Sequence, residues 1–201
     1  MTITGLVLAA GSSRRLGQPK QLLPYKGRTL LDATLEVARA APFDQRLLTT
    51  GGAAAEVHKE VELSGFEVVD AVHHTQGCSS SIVSALAQVA ETAVGVVMLL
   101  GDQPDIRVHA IEEMVNVAAP VDGPTAALAV TRYDDGIGHP FWFGREVFED
   151  LAQLHGDKAV WKLIESDEYQ VTEVRVAGTI PLDVDTWDDY ENLLQREKAS
   201  S

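Results

Sequence analysis

The sequence predicts an α/β protein of three layers with a mostly parallel central sheet. Two observations carry this. Apolar runs of four to seven residues alternate with segments of helical periodicity from the N-terminus onward, the order that builds a parallel sheet with helices on both faces. The runs are also nearly continuous, as strands covered on both sides are.

Ile3 to Ala9 is the first strand and ends at Gly11. Thr29 to Ala40 is a helix. Thr29 can cap it, Asp32 lies three on, and Leu30, Leu31, Thr34, Leu35 and Ala38 recur at helical spacing. "RLLTT" before Gly51-Gly52 is a second strand, Ala53 to Leu63 a helix stopped near Gly65, and "FEVVDAV" a third strand. Ser79 to Ala90 is a helix opened by serines. Val94 to Leu100 is the most hydrophobic strand and stops at Gly101-Asp102. Val108 to Ala118 is helical and "TAALAV" is another strand. Asp134 to Arg145 is glycine-rich and aromatic, and reads as a loop plus a short strand. Arg145 to Leu154 and Lys158 to Ser166 are short helices. "YQVTEVRV" alternates as an edge strand does. Thr186 to Lys198 is a final helix behind a threonine cap. No repeat or low-complexity linker interrupts this order, so residues 1–198 are expected to form one domain, with 199–201 a frayed tail.

The formal net charge is −14, yet five of the 16 Lys and Arg residues fall between Arg14 and Arg28, and no acid precedes Asp32. The rest of the chain sets 11 basic residues against all 30 acidic ones. That balance excludes a broad nucleic-acid or anionic-membrane binder. The lone cysteine, Cys78, excludes an internal disulfide framework and suits a reducing compartment. The N-terminal apolar run lacks a charged flank and is too short for a signal peptide or a membrane span. A cytoplasmic protein is expected.

In open parallel sheets, ligands bind beyond the carboxyl ends of the strands. Three loops fall there: Gly11 to Lys20 after the first strand, "QGCSSS" after the third and "GDQP" after the most buried one. Neighbouring strands would bring these loops to one cleft. A glycine at a strand end lets backbone N–H groups approach a phosphate, and Arg15 and Lys20 add fixed positive charge. A carboxylate-free segment suits a polyphosphate, although a solvated basic loop explains the same residues equally well. Neither GxxxxGK[ST] nor GxGxxG is present. Asp102, ending a buried strand, is a candidate Mg²⁺ ligand or a simple turn residue.

These residues have a familiar pattern. "LAAGSSRRLGQPKQLLP" resembles the signature of the MobA-like nucleotidyltransferases, a Rossmann-like nucleotidyltransferase fold. "QGCSSSIVSAL", "LLGDQPDI", "GHPFWFGR", "HGDKAVWKLI" and "PLDVDTWDDYENLL" follow in the order of the molybdenum cofactor cytidylyltransferases among them. The similarity runs from Leu6 to about Leu194, and "LAAG" resembles the cytidine-using branch. Cys78 stands where methionine or another residue is commoner, and "GDKAVWK" departs from the usual GDxGAR.

The resemblance implies Mg²⁺-dependent transfer of CMP from CTP to the phosphate of molybdopterin, with release of pyrophosphate. It implies that Arg15 and Lys20 are catalytic and hold the triphosphate. Leu8, Ala9, Ala10, Gly11, Ser12, Ser79 and Ser80 would bind the nucleotide. Asp185 would join Asp102 as a metal ligand, with Asp183 its rival, and Asp185 could instead be a helix N-terminal acid. His139 and Asp157 would line the acceptor site. By residue type alone His139 is a packed loop histidine, Asp157 a helix cap and Ser79 to Ser81 helix caps. His73 and His74 lack a partner at metal spacing. Cys78 lacks an evident base. Trp142, Trp161 and Trp187 read as packing residues. Expected partners are CTP or another nucleoside triphosphate, molybdopterin or another phosphate-bearing acceptor, and a molybdenum hydroxylase or its chaperone. Two alternatives stand beside this: the same transfer to a different acceptor, and an NAD(P)H-dependent oxidoreductase built on the same cleft.

Overall fold

The computed structural model describes the chain except Ser12, Arg14, residues 72–77, Leu154, His155, Asp157, Lys158 and Ser201; of Cys78, Ser79, Ala159, Ala199 and Ser200 it describes only the helix they belong to. The chain runs β1 (Thr2–Leu8), β2 (Pro24–Tyr25), β3 (Arg28–Thr29), α1 (Leu30–Ala40), β4 (Gln45–Thr50), α2 (Ala54–Glu60), β5 (Glu67–Asp70) and α3 (Cys78–Leu86). It continues β6 (Ala93–Leu100), α4 (Val108–Ala118), β7 (Leu128–Tyr133), β8 (Gly136–Gly144), α5 (Phe148–Gln153), α6 (Ala159–Ile164), β9 (Val171–Arg175) and α7 (Trp187–Ser200). None of the described helices is long and apolar enough to cross a membrane.

Seven strands form one sheet in the order β5-β4-β1-β6-β8-β7-β9. β8 runs antiparallel to both its neighbours and the other pairings are parallel. β2 and β3 make a separate antiparallel hairpin. Side chains alternate across the sheet. Ile3 and Val7 of β1, with Val97 and Leu99 of β6, face α1, α2 and α4; Leu6 and Leu8, with Val96 and Met98, face α3, α5 and α6. This is the expected three-layer arrangement. A third cluster packs Leu193 of α7 and Val184 against Leu16, Leu23, Tyr25 and Leu30. It ties the C-terminal segment to the loop after β1.

Local signals set the helix starts. Thr29 Oγ1 accepts from the Asp32 backbone N–H at 3.0 Å and the Asp32 carboxylate reaches back, a complete capping box. Thr186 and Asp189 repeat it at α7. α4 matches its expected bounds. α2 and α3 end earlier than their patterns suggested, at Glu60 and Leu86, and α7 continues to Ser200.

The region from Asp134 to Arg145 corrects the sequence reading. It holds a nine-residue strand, β8, between β6 and β7. Gly136, Gly138, Pro140 and Gly144 gave it the composition of a loop. Pro140 is accommodated because the β7–β8 register slips between Val130 and Thr131, so that its missing N–H removes no ladder bond. The strand is secured by Phe141, Trp142 and Phe143, all fully buried. A side chain at Gly95 would put its Cβ 2.4 Å from the Trp142 ring, so glycine is what lets that ring sit against β6. Trp161 and Trp187 are partly exposed and contact Phe141 and Tyr190 edge-on.

Candidate active site

β1 connects through α1 to β4 on one side of the sheet, while β6 lies on the other. The crevice beyond the carboxyl ends of β1 and β6 is therefore the switch point at which such sheets bind ligands. The two strand ends are stitched together, with the Gly101 N–H donating to the Leu8 carbonyl at 2.9 Å. A Cβ at Gly101 would lie 2.9 Å from Ala9 Cβ, so only glycine allows this approach.

The loop after β1 is shaped by its own polar groups. Leu8, Ala9 and Ala10 are buried and Gly11 is exposed. Ser13 takes a positive φ of 47°, and its carbonyl accepts from the N–H groups of Leu16 and Gly17 at 3.1 and 3.2 Å. Its hydroxyl accepts from the Lys20 N–H at 3.0 Å. Gln21 is buried beneath the loop. Its Nε2 donates to the Ala9 carbonyl at 2.7 Å and the Gly11 carbonyl at 3.1 Å. This strut returns the chain so that Lys20 points at the end of β6.

The Lys20 ammonium donates to both Asp102 and Asp185, with 2.8 Å to Asp185 Oδ1. Arg15 Nη2 donates to Asp185 Oδ2 at 2.8 Å. Four residues singled out from sequence thus meet, although Asp185 lies 165 positions from Lys20. The Lys20 and Asp102 side chains are only 13% and 15% exposed; those of Arg15 and Asp185 are 67% and 43% exposed. Burial works against the Lys20 charge, but the two carboxylates outweigh it and its pKa is raised. Burial likewise opposes ionisation of Asp185, but Lys20 and Arg15 prevail and hold its carboxyl low. The segment without carboxylates in sequence is therefore met by two of them in space.

Asp183 stands beside this junction but has a different partner. Its Oδ1 accepts from Gln103 Nε2 at 2.6 Å. Although the residue as a whole is exposed, its carboxyl end is short of water and near Asp102, which push its pKa up to about 6. Asp102 and Asp185 offer two carboxylate groups to a single cation. Hard oxygen donors in that arrangement suit Mg²⁺ or Mn²⁺, with phosphate oxygens and water completing the shell. Among the described residues no group of three or more His, Cys, Asp or Glu side chains gathers as a metal site.

The remaining sequence candidates are described only in part. Ser80 opens α3, where its carbonyl accepts from Ser84 Oγ. Ser12, Asp157, His73 and His74, and the side chains of Cys78 and Ser79, lie outside the described residues. His139 lies in β8 rather than a loop, its ring centroid 4.1 Å from that of Phe141. The residue is half-buried by exposure, but its ring is packed away from water, which lowers its pKa to about 3 and keeps the imidazole neutral. Lys26 and Arg28, also from the basic segment, turn to a cleft of about 830 Å³ between α1 and α7. There Arg28 pairs with Glu36. Sequence reasoning missed the two buried glutamines, Gln21 and Gln103, because an isolated amide carries no periodic signal.

Residues 5–173 match the family model described as the MobA-like NTP transferase domain. Rv0371c from Mycobacterium tuberculosis H37Rv has a crystal structure that is 52% identical, with a TM-score of 0.89, covering 97% of this chain and 98% of that one. A structure of Rv0371c in complex with manganese gives 49% identity and a TM-score of 0.84, covering 97% and 99%. Purine catabolism protein PucB of Bacillus subtilis (strain 168) is 28% identical, with 94% of each chain covered. Molybdenum cofactor cytidylyltransferase of Escherichia coli (strain K12) is 27% identical, with 95% of each chain covered.

Proposed function

The chain belongs to the MobA-like NTP transferase family and is a nucleotidyltransferase, and we propose that it transfers CMP from CTP to the phosphate of molybdopterin, forming molybdopterin cytosine dinucleotide. The observation that carries the site assignment is the junction of Lys20 with Asp102 and Asp185 at the switch point of the sheet. The end-to-end similarity to a molybdenum cofactor cytidylyltransferase and the "LAAG" form of the first loop support the substrates.

The chemistry suits these residues. A phosphate monoester has a second pKa of about 6, so the acceptor is already ionised at neutral pH and needs no general base. An acceptor oxygen attacks the α-phosphorus, the bond to the bridging oxygen breaks, and pyrophosphate leaves with the electron pair. Catalysis is alignment and charge neutralisation. Lys20 and Arg15 hold the triphosphate and balance charge on the leaving pyrophosphate. Ala10 and Gly11 would offer backbone N–H groups to the phosphates, since the Ala9 N–H is taken by the Thr49 carbonyl at 3.0 Å; the resemblance adds Ser12 for the phosphates and Ser79 and Ser80 for the base. Asp102 and Asp185 would hold Mg²⁺ or Mn²⁺. A divalent cation held there supplies electrostatic neutralisation of the phosphate oxygens. By the resemblance, His139 and Asp157 would serve the acceptor side.

The test is pyrophosphate release with Mg²⁺, purified molybdopterin, and CTP, GTP, ATP or UTP in parallel. Release with CTP alone supports the proposal. Turnover with another phosphate-bearing acceptor and none with molybdopterin overturns it in favour of that acceptor.

A further inference from the structure

We infer that Gln103 is a positioning residue that sets Asp185 against Asp102. The inference rests on the reading that these two aspartates hold the divalent cation. Residues 181–185 form no regular secondary structure. α7 holds their end, with the Asp185 N–H donating to Asp189 Oδ2 at 3.2 Å, and four hydrogen bonds to the loop after β6 hold the rest. Val184 N–H donates to the Asp102 carbonyl at 3.2 Å, and Leu182 N–H donates to Asp105 Oδ1 at 3.2 Å. Gln103 Nε2 supplies the other two, to Asp183 Oδ1 at 2.6 Å and to the Pro181 carbonyl at 3.3 Å.

The segment alternates as extended chain does: Asp183 toward Gln103, Val184 into the third core cluster, Asp185 toward Lys20. Fixing Asp183 and Val184 therefore fixes where Asp185 points. Gln103 is 1% exposed, and its Oε1 has no hydrogen-bond partner among the described residues. A buried acceptor left unpaired is destabilising, and an apolar side chain of similar length would avoid that cost. What such a side chain would lose is the donor that clips the segment. Groups behind metal-binding carboxylates tune affinity, and their loss typically weakens binding about 10- to 100-fold.

The test is Mn²⁺ affinity, measured by electron paramagnetic resonance on the full chain, with the thermal midpoint followed alongside. Gln103→Glu keeps the size but sets an acceptor against the Asp183 carboxylate. It should weaken Mn²⁺ binding about 10-fold or more. Adding Asp183→Asn restores a donor–acceptor pair, so it should tighten binding in the Gln103→Glu background and not in the wild type. Wild-type affinity in Gln103→Glu, or no tightening by the second substitution, overturns the inference. Gln103→Met, which removes the donor without adding charge, should weaken binding in the same direction and replaces Gln103→Glu if that variant fails to fold; unchanged affinity in it overturns the inference too. Asp102→Ala and Asp185→Ala separate the two claims. If neither alters Mn²⁺ binding, the metal reading itself fails; if both do and the Gln103 variants do not, only the role of Gln103 fails.

Discussion

The ammonium of Lys20 lies 2.8 Å from Asp185 Oδ1 while also donating to Asp102. One cation from the first loop thus spans two carboxylates from the ends of two other segments. With Arg15 it sets two positive side chains against the carboxylates of Asp102 and Asp185. On the proposed function, a divalent cation would take over the two carboxylates and a triphosphate the two basic side chains.

Lys20→Met should therefore leave a folded protein with little transfer. Removing one donor from a site that stabilises developing charge costs about 10²- to 10³-fold in turnover. Steady-state kinetics with pyrophosphate detection checks this. Wild-type turnover would remove Lys20 from the chemistry.

Arg15→Ala should behave differently. Its pair with Asp185 is largely exposed, and such pairs are worth roughly 0–1 kcal/mol. Urea unfolding should show almost no loss of stability, while the KM for the nucleotide rises several-fold.

Gln21→Met should be the structural counterpart. It leaves the Ala9 and Gly11 carbonyls without the Nε2 donor, a loss of about 1–3 kcal/mol. Urea midpoints measure it, and turnover should fall with it because the loop carries Lys20.

The sequence made the strand ends legible because a buried run that stops at glycine marks where a parallel strand leaves the sheet. That sufficed to bring Gly11, Arg15, Lys20 and Asp102 to one place. It did not distinguish Asp183 from Asp185, since residues two apart in an extended segment share a face. Their partners separate them: Gln103 takes the Asp183 carboxylate and Lys20 that of Asp185. β8 was illegible for another reason. Its glycines and Pro140 are local signals for a turn, and they were overridden by pairing with β6 and β7 and by burial of Phe141, Trp142 and Phe143.

Acid should destabilise the fold partly through His139. Its folded pKa of about 3 lies below the ordinary 6.5, so between these values the unfolded chain binds the extra proton. Stability then falls as pH drops through that window, by at most about 1.4 kcal/mol per pH unit. Asp183, raised to about 6 from 3.8, acts in the opposite sense between those two values. His139→Phe should flatten the acid limb of a stability profile measured by urea unfolding from pH 7 to 4. An unchanged limb would show that His139 is not held neutral.

The most direct measurement of the central claim is pyrophosphate release from CTP and molybdopterin with Mg²⁺, by wild type and Asp102→Ala side by side. The account predicts steady release by the wild type and essentially none by the variant, with matching circular dichroism spectra for the two. Equal rates would contradict the assignment of the Lys20, Asp102 and Asp185 junction as the transfer site.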